Sequence, residues 1–574
     1  MSNTTTNSHS FHSPTCQEIL NLSVDRQSAL FEVYYRYIMS LSCREFGRYM
    51  LLAMAASSQV SQIIQDGIFL FCVAREGSKH RTASRFLMSF AISLAHLIFR
   101  CTCLFATSIF LYEVGFPNAL VSPLLILNLV LYFPHRLLSW TCALQRLHQQ
   151  RPGSISVIPP RGSDESEALL PPFLPTIVAI IPCHGEPEDV LLASVRSLMN
   201  SDYPSDQLHI VVAFDGLENS QLHNRVSSIL SAEAKPGGRH PISRTATGID
   251  VTLCLFEHGG KPRCQRNALE YIRNARPHLL QSPDEVAVLM MDSDTTIPTE
   301  SLRLFADRMY SVESSQTSPA ALACVQGIDL PSSSFLHAIQ EAEYLQQGVM
   351  CELVMASLSN VTCISGTVMY VRWEALVSAL NDQPNQLQGL NDCWKYKFGE
   401  DRYLTQVISS KVGSWSTDIH TDIVCNTQAA CSLPALIDQR RRWFLGHMAV
   451  EAVALSDPAH WKMSPKLFAY RLVYLGAQVS EQQIVLLATL VIVQGWAAQY
   501  WLPWLVTAAL VLNGASFCCF PAIRRRRSLA PLPIFGMVSP VLNLVVRLYA
   551  LLNLWSTKWG GTRDLAQAQK LKSS

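Results

Sequence analysis

The stretch AVLMMDSD, residues 287–294, joins five consecutive apolar residues to two carboxylates separated by one serine. A short apolar run bounded by turn residues is typical of a buried strand. Asp292 and Asp294 would then stand at the end of that strand, where their oxygens can bind a hard cation such as Mg²⁺ or Mn²⁺. A solvated acidic turn is the structural alternative, because Asp-x-Asp triplets arise by chance in long chains.

Similar apolar runs recur upstream, and helical patterns separate them. In chain order these segments are TIVAIIP (176–182), PEDVLLASVRSLMN (187–200), LHIVVAFD (208–215), VTLCLFEH (251–258) and KPRCQRNALEYIRNA (261–275). Strands that alternate with helices indicate βαβ units and a mostly parallel sheet, whose ligands bind at the carboxyl ends of the strands. The sequence therefore predicts an α/β domain over residues 176–430, with its site at the end of the sheet that carries DSD.

Other polar residues also follow predicted strands. Asp215 ends LHIVVAFD and could accept the imide N–H of a uracil ring, although a turn aspartate before glycine explains it equally well. The segment PCHGE, residues 182–186, leaves an open loop whose backbone can approach a base or a ribose. Lys261 follows two glycines at a predicted helix start, which suits an anion, but a lysine that faces water is the alternative.

Two charged motifs lie downstream of these strands. In GEDR, residues 399–402, Asp401 is either part of a structural ion pair or a general base that removes a proton from an acceptor hydroxyl. In QRRRW, residues 439–443, adjacent helical side chains point about 100° apart, so the three arginines cannot share one face. They form either a solvated basic turn, or a set in which one or two guanidiniums hold a polyphosphate beside the tryptophan.

Composition indicates that part of the chain lies outside water. The 574 residues are 49% hydrophobic and only 16% charged, with a formal net charge of +1. Ordinary globular chains carry about 25% charged residues. Near-neutral charge argues against nucleic acid as a partner. The 17 cysteines include no CxxC pair and are expected to be reduced thiols.

Two apolar blocks, residues 86–139 and 476–520, are long enough for transmembrane hairpins, and basic residues beside them place both ends in the cytoplasm. No cleaved signal peptide is expected. These features predict an integral, multi-pass membrane protein with a cytosolic catalytic domain. The remaining predicted segments are a cytosolic or interfacial N-terminal segment (1–85), a linker (140–175), interfacial helices with QRRRW (431–475), and a basic loop, interfacial helix and tail (521–574).

Taken in order, these motifs resemble those of the membrane-embedded processive family 2 glycosyltransferases. Chitin synthases are nearest, and hyaluronan and cellulose synthases are more distant. Three further segments, QEAEY (340–344), TCISGTVMYVR (362–372) and WGGTR (559–563), fit the same series, the last resembling a gating-loop motif. The resemblance runs from about residue 182 to residue 563 and implies a GT-A-type, Rossmann-like catalytic domain flanked by transmembrane and interfacial helices.

The resemblance also implies roles for individual residues. Asp401 would be the catalytic base, oriented by Glu400 and Arg402, and Asp294 would coordinate Mg²⁺ or Mn²⁺. Donor-binding residues would be Glu186, Asp215, Lys261, Asp292 and Arg442. Acceptor-binding residues would be Gln439, Trp443, Ser365 and Gly366. Gating residues would be Trp559 and Arg563.

The implied function is inverting transfer from a UDP-sugar to a β-linked polysaccharide that is extruded across the membrane. Expected partners are the UDP-sugar, a growing glycan or a lipid-like acceptor, and membrane lipids, with a possible homo-oligomer at the plasma membrane. Two departures bear on the sugar and on product length: Ser365-Gly366 is nearer to hyaluronan synthases, and Pro262-Arg263-Cys264-Gln265 differs from the usual chitin-synthase continuation. The alternatives are a non-processive transferase that acts on a lipid or polyketide-like acceptor, and a transporter or scaffold that retains an inactive transferase domain.

Overall fold

The structure is a computed structural model. It describes residues 63–71, 73–74, 90–91, 94, 98, 141–142, 174–232, 243–244, 248–310, 318–328, 334–384, 386–471, 474 and 532–558. The predicted transmembrane hairpins fall almost entirely outside these residues, and the WGGTR motif falls wholly outside them. Within the described part, no helix combines the length and apolar character that a membrane crossing requires.

One eight-stranded mixed sheet organises the molecule. Its strand order is β3-β4-β2-β1-β5-β7-β6-β8. The strands are β1 Thr176–Cys183, β2 Leu208–Asp215, β3 Ser243–Arg244, β4 Asp250–Phe256, β5 Val286–Met291, β6 Ala321–Ile328, β7 Val368–Arg372 and β8 Thr417–Thr427. The predicted strands are confirmed as β1, β2, β4 and β5, which pair in parallel. Strand β7 departs from the parallel expectation because it runs antiparallel between β5 and β6.

Helices cover both faces of the sheet. They are α1 Glu188–Met199, α2 Ser220–Ala232, α3 Lys261–Ala275, α4 Ser301–Tyr310, α5 Phe335–Leu345, α6 Leu353–Leu358, α7 Trp373–Asn381, α8 Gly389–Asp392, α9 Glu400–Val412, α10 Leu433–Ser456, α11 Pro458–Met463 and α12 Leu532–Leu552. Strand β5 is buried along its whole length, as expected of a central strand covered on both sides. Alternate residues of the strands feed two hydrophobic cores, one on each face.

Two π-helical segments interrupt this pattern, at Gln346–Glu352 and Cys393–Phe398. The second leads directly into Gly399 and the start of α9. Such segments are uncommon and often lie at functional sites. Here, together with β5 and α10, the second one places the GEDR motif opposite DSD.

Candidate active site

The carboxyl ends of the strands open into one large cavity of about 1890 Å³. Two walls face each other across it. The strand-end wall consists of Glu186, Asp215, Lys261, Asp292 and Asp294. The helix wall consists of Glu400, Asp401, Gln439, Arg442 and Trp443, from α9 and α10. The structure therefore brings together all the predicted site residues that it describes.

Asp215 is held by backbone amides at the end of β2. Its Oδ1 accepts the N–H of Gly259 at 2.8 Å, and its Oδ2 accepts the N–H of Gly260 at 3.0 Å. Gly260 has a φ of +79°, a backbone conformation that other residues adopt only with strain. The glycine pair before Lys261 thus fixes the Asp215 carboxylate and aims α3 into the cavity.

Glu186 closes the loop after β1. Its Oε2 accepts the backbone N–H of His184 at 2.5 Å and the thiol of Cys183 at 2.9 Å. The neighbouring Gly185 N–H donates to Asn219 at 3.1 Å. This buried carboxylate shapes the loop that was predicted to approach a base or a ribose.

Lys261 bridges the two walls. Its Nζ lies 2.6 Å from Asp292 Oδ1 and 3.3 Å from Glu400 Oε1. Burial disfavours its charged form, but Asp292 and Glu400 outweigh that effect and hold the pKa of Lys261 above its ordinary value. The alternative of a lysine that faces water is therefore excluded, and Lys261 supplies a positive charge to the cavity.

Glu400 behaves differently from an exposed carboxyl. Burial raises its pKa from 4.5 to about 7, with Lys261 opposing the rise and Asp401 adding to it. Glu400 is therefore protonated below about pH 7 and charged above it.

Asp401 is oriented by two backbone amides. Its Oδ1 accepts the N–H of Arg402 at 2.7 Å, and its Oδ2 accepts the N–H of Gly366 at 3.1 Å. A Cβ at position 366 would lie 2.6 Å from Lys261 Nζ, so the lysine side chain would have to shift to admit any residue other than glycine. Ser365 accepts hydrogen bonds from the Thr367 amide and hydroxyl, which shapes the turn beside it.

Helix α10 reaches the site through a backbone contact with the start of α9. A Cβ on Gly446 would lie 2.7 Å from the Gly399 nitrogen and 2.8 Å from the Phe398 carbonyl carbon. A Cβ on Gly399 would meet Gly446 at 3.0 Å. Two glycines therefore allow the helices to touch, and this contact positions QRRRW beside GEDR.

The three adjacent arginines point to three different partners. Arg440 and Arg441 are only 5% and 2% exposed, which excludes a solvated basic turn. Arg440 forms a bidentate pair with Glu343, at 2.6 to 3.0 Å, and its guanidinium lies 4.1 Å from the centre of the Trp443 ring. It thereby fixes the tryptophan of the helix wall.

Arg441 instead holds the segment after α12. It donates to the backbone oxygens of Asn553, Ser556 and Lys558, at 3.4, 3.0 and 2.9 Å. Arg442 is half-buried, lines the cavity and opposes the rise in the pKa of Glu400. One of the three arginines therefore faces the cavity, as predicted, whereas Arg440 braces the helix wall and Arg441 holds the segment after α12.

Arg402 lies behind Asp401. Its guanidinium interacts with Cys363 and Glu352, and these groups outweigh burial and keep the pKa of Arg402 above its ordinary value. Glu352 in turn accepts the amide N–H of Thr362 and of Cys363, at 3.0 and 3.2 Å. Arg402 donates its own amide to Asp401, and its guanidinium adds an electrostatic attraction to the same carboxylate.

The candidate metal ligand Asp294 also lines the cavity. Its Oδ1 lies 3.3 Å from the Thr427 hydroxyl. Asp292 and Asp294 both line the cavity, and carboxylate oxygens are ligands that suit Mg²⁺ or Mn²⁺. A separate group that could hold a metal ion, His184, Asp215 and His258, lies at the other end of the strand-end wall.

His447 is a cavity residue that the sequence analysis missed. It lies one turn after Trp443 on α10, and no described residue hydrogen-bonds either of its ring nitrogens. Burial, with Arg402 adding to it, lowers the pKa of His447 to about 3, so its ring is neutral. The four-residue spacing from Gln439 through Trp443 to His447 was the available signal, because it places all three on one helix face.

Residues 287–516 match glycosyl transferase family group 2. The chain is 28% identical over 409 residues to chitin synthase 7 of Verticillium dahliae, covering 69% of this chain and 57% of that protein. It is 27% identical over 463 residues to chitin synthase G of Aspergillus niger, covering 76% and 61% of the two chains. The chain thus spans about 60% of the length of these relatives.

A similar solved structure is a mannosyltransferase from Pyrobaculum calidifontis in complex with GDP-Man and Mn²⁺. The TM-score is 0.40 at 16% identity, over 74% of this chain and 99% of that one. The family match covers DSD, GEDR and QRRRW, three of the motifs that face one another in the cavity. Residues 287–516 therefore match a family 2 glycosyltransferase model and the chain is similar to chitin synthases, which confirms the resemblance that its motifs indicated.

Proposed function

We propose that this chain transfers a sugar from a UDP-sugar to a growing β-linked polysaccharide at a membrane, with inversion at the anomeric carbon. One observation carries the proposal. The Asp401 carboxylate, held by two amides, faces the same cavity as the cations Lys261 and Arg442. A base and a cationic site for a leaving diphosphate are the two requirements of a single in-line displacement.

In the proposed reaction, the acceptor hydroxyl oxygen attacks the anomeric carbon of the donor. Asp401 takes the hydroxyl proton as the new C–O bond forms. The bond from the anomeric carbon to UDP breaks, and UDP leaves with the electron pair. Lys261 and Arg442 offset the negative charge that develops on the departing diphosphate.

The donor would lie along the strand-end wall. Asp215 and Glu186 would bind the uridine, and Lys261 and Asp292 would bind the diphosphate side. Asp294 would hold Mg²⁺ or Mn²⁺, which would supply further positive charge to the diphosphate. This assignment is consistent with the buried carboxylates and the glycine loop at that wall.

The acceptor would approach along the helix wall. Gln439 and Trp443 would contact its terminal sugar, and the neutral ring of His447 could offer one donor and one acceptor to a hydroxyl or an amide. Trp559 and Arg563 are proposed to complete the site from the segment after Lys558. We further propose extrusion of the product by predicted membrane hairpins at residues 86–139 and 476–520.

The test is UDP release by the detergent-purified full chain with Mn²⁺, across a panel of UDP-sugars, with product size measured in the same samples. We expect release with one sugar and a long product. Asp401→Asn should lower the rate by about 10³-fold, because a general base contributes 10²–10⁴-fold. The matched control Asp422→Asn changes an exposed carboxylate on β8 and should be fully active.

Two outcomes would contradict the proposal. If the Asp401→Asn variant released UDP as fast as the parent, Asp401 would not be the general base. A small glycolipid in place of polymer would favour the non-processive alternative, in which the acceptor is a lipid or polyketide-like molecule.

A further inference from the structure

The loops after β1 and β4 bring two histidines to the Asp215 carboxylate. The His258 Nδ1 lies 3.1 Å from Asp215 Oδ2, and the rings of His184 and His258 lie 4.9 Å apart. One ligand atom of each of the three residues lies within 4.8 Å of the others. This cluster is separate from the Asp292–Asp294 pair and contains nitrogen as well as oxygen donors.

The groups around the cluster already orient these side chains. The His184 Nδ1 lies 2.6 Å from the backbone oxygen of Asp215. A carbonyl only accepts, so Nδ1 carries the proton and Nε2 keeps its lone pair. Metal-binding histidines characteristically donate their other ring N–H in this way, and ligating carboxylates are themselves hydrogen-bonded, as Asp215 is by Gly259 and Gly260.

The cluster is also accessible. The side chains of His184 and His258 are 38% and 59% exposed, whereas Asp215 is 5% exposed. All three line the large cavity. Bonds of about 2.1 Å to one ion would require the ligand atoms to stand roughly 3.4 Å apart. The exposed imidazole rings of His184 and His258 can rotate to close this gap while the Asp215 carboxylate stays fixed.

We propose that His184, Asp215 and His258 form a second metal site, which binds a borderline divalent cation such as Zn²⁺, Co²⁺ or Ni²⁺. Imidazole nitrogens select these ions, whereas the oxygen donors of Asp292 and Asp294 suit Mg²⁺ or Mn²⁺. A cation on Asp215 occupies the place assigned to the nucleobase of the donor. Bound Zn²⁺ therefore excludes the base and inhibits transfer. This second part rests on the proposed function.

Zinc binding is measured first, by calorimetry on the detergent-purified full chain without any nucleotide. We expect His258→Gln and His184→Gln each to weaken binding by at least about 10-fold, the scale on which metal sites respond to loss of a supporting group. His258 is largely exposed, so its variant should fold normally. The matched control His278→Gln changes an exposed histidine outside the cavity and should bind like the parent. Equal zinc affinity in the parent and both cluster variants would overturn the site.

A second titration separates this inference from the proposed function. Uridine, which lacks phosphates that would chelate zinc, is added in excess before the metal, and ribose serves as its control. Weaker zinc binding with uridine, but not with ribose, is the expected result. If the variants lose zinc but uridine has no effect, the metal site stands, and both the exclusion of the base and its assignment to Asp215 are overturned.

Discussion

The two walls of the cavity are built by different physical means. On the strand-end wall, Asp215 is held by main-chain amides of a glycine loop that follows a buried strand. On the helix wall, Arg442 and Trp443 owe their position to a contact between Gly446 and Gly399 and to the Arg440–Glu343 pair. The first wall is local to each strand end, whereas the second depends on how separate helices pack. Away from the Lys261–Glu400 ion pair that joins them, substitutions should therefore damage the two walls independently.

Among the substitutions that test this comparison of the two walls, the largest effect is expected from Gly446→Ala. The added methyl has no room beside the backbone of Phe398 and Gly399, and overpacking of this kind costs about 1–3 kcal/mol. Because α10 must shift, we expect sugar transfer to fall by about 10²-fold. Uridine affinity, measured by calorimetry, should stay unchanged because the strand-end wall is untouched.

The matched control for that substitution is Gly67→Ala. Gly67 is also helical, and a Cβ there would meet nothing within 4 Å. Normal transfer by Gly446→Ala, or an equal loss in both variants, would show that the close helix contact does not position the helix wall.

The converse substitution is Asp215→Asn on the strand-end wall. An amide nitrogen would face one of the two glycine N–H groups that the carboxylate now accepts, and leaving such a group unpaired costs about 1–3 kcal/mol. We expect the KM for the donor to rise by about 10-fold with little change in kcat. A fall in kcat at unchanged KM would mean that Asp215 does not act through donor binding.

The Arg440–Glu343 pair tests how the helix wall is braced. A double-mutant cycle with Arg440→Met and Glu343→Gln, followed by denaturant unfolding, should give a coupling of at least about 1 kcal/mol, because Arg440 is buried and bidentate. The exposed pair Lys411–Asp382, with an N–O distance of 2.9 Å, is the matched control and should give about 0–1 kcal/mol. Equal coupling energies in the two pairs would show that the buried Arg440–Glu343 pair stabilises the fold no more than an exposed ion pair does.

The smallest effect is expected from Glu400→Gln, which should change how the Tm of the protein depends on pH. The folded-state pKa of about 7 lies above the ordinary 4.5, so the stability that protonated Glu400 contributes is present at low pH and is lost as pH rises through 7. Glutamine stays neutral. The Tm of the variant relative to the parent should therefore increase from pH 5 to pH 8, by about 2–4 °C. A difference that does not vary with pH would contradict the raised pKa.

The sequence predicted the strand-end wall better than the helix wall. Asp215, Lys261, Asp292 and Asp294 each follow a segment whose apolar pattern shows where a strand ends, and parallel strands bring those ends to one edge. The antiparallel insertion of β7 was not predicted, because a five-residue strand carries no sign of its direction.

The helix wall was predicted only by motif. The residues of GEDR and QRRRW left a structural and a functional interpretation open, and the resemblance to known transferases favoured the functional one. Neither periodicity nor spacing showed which arginine faces the cavity. The partners of Arg440 and Arg441 lie about one hundred residues away in the chain, on α5 and after α12. No local pattern contains such a contact.

The sequence by itself determined strands β1, β2, β4 and β5, the order of the polar residues that follow them and the family that the motifs resemble, because these depend on neighbours along the chain. Only the tertiary structure decided that Gly446 touches Gly399, that His447 enters the cavity and that His184 and His258 converge on Asp215. Those features arise from packing between elements distant in sequence, where a contact depends on shape and burial rather than on residue type.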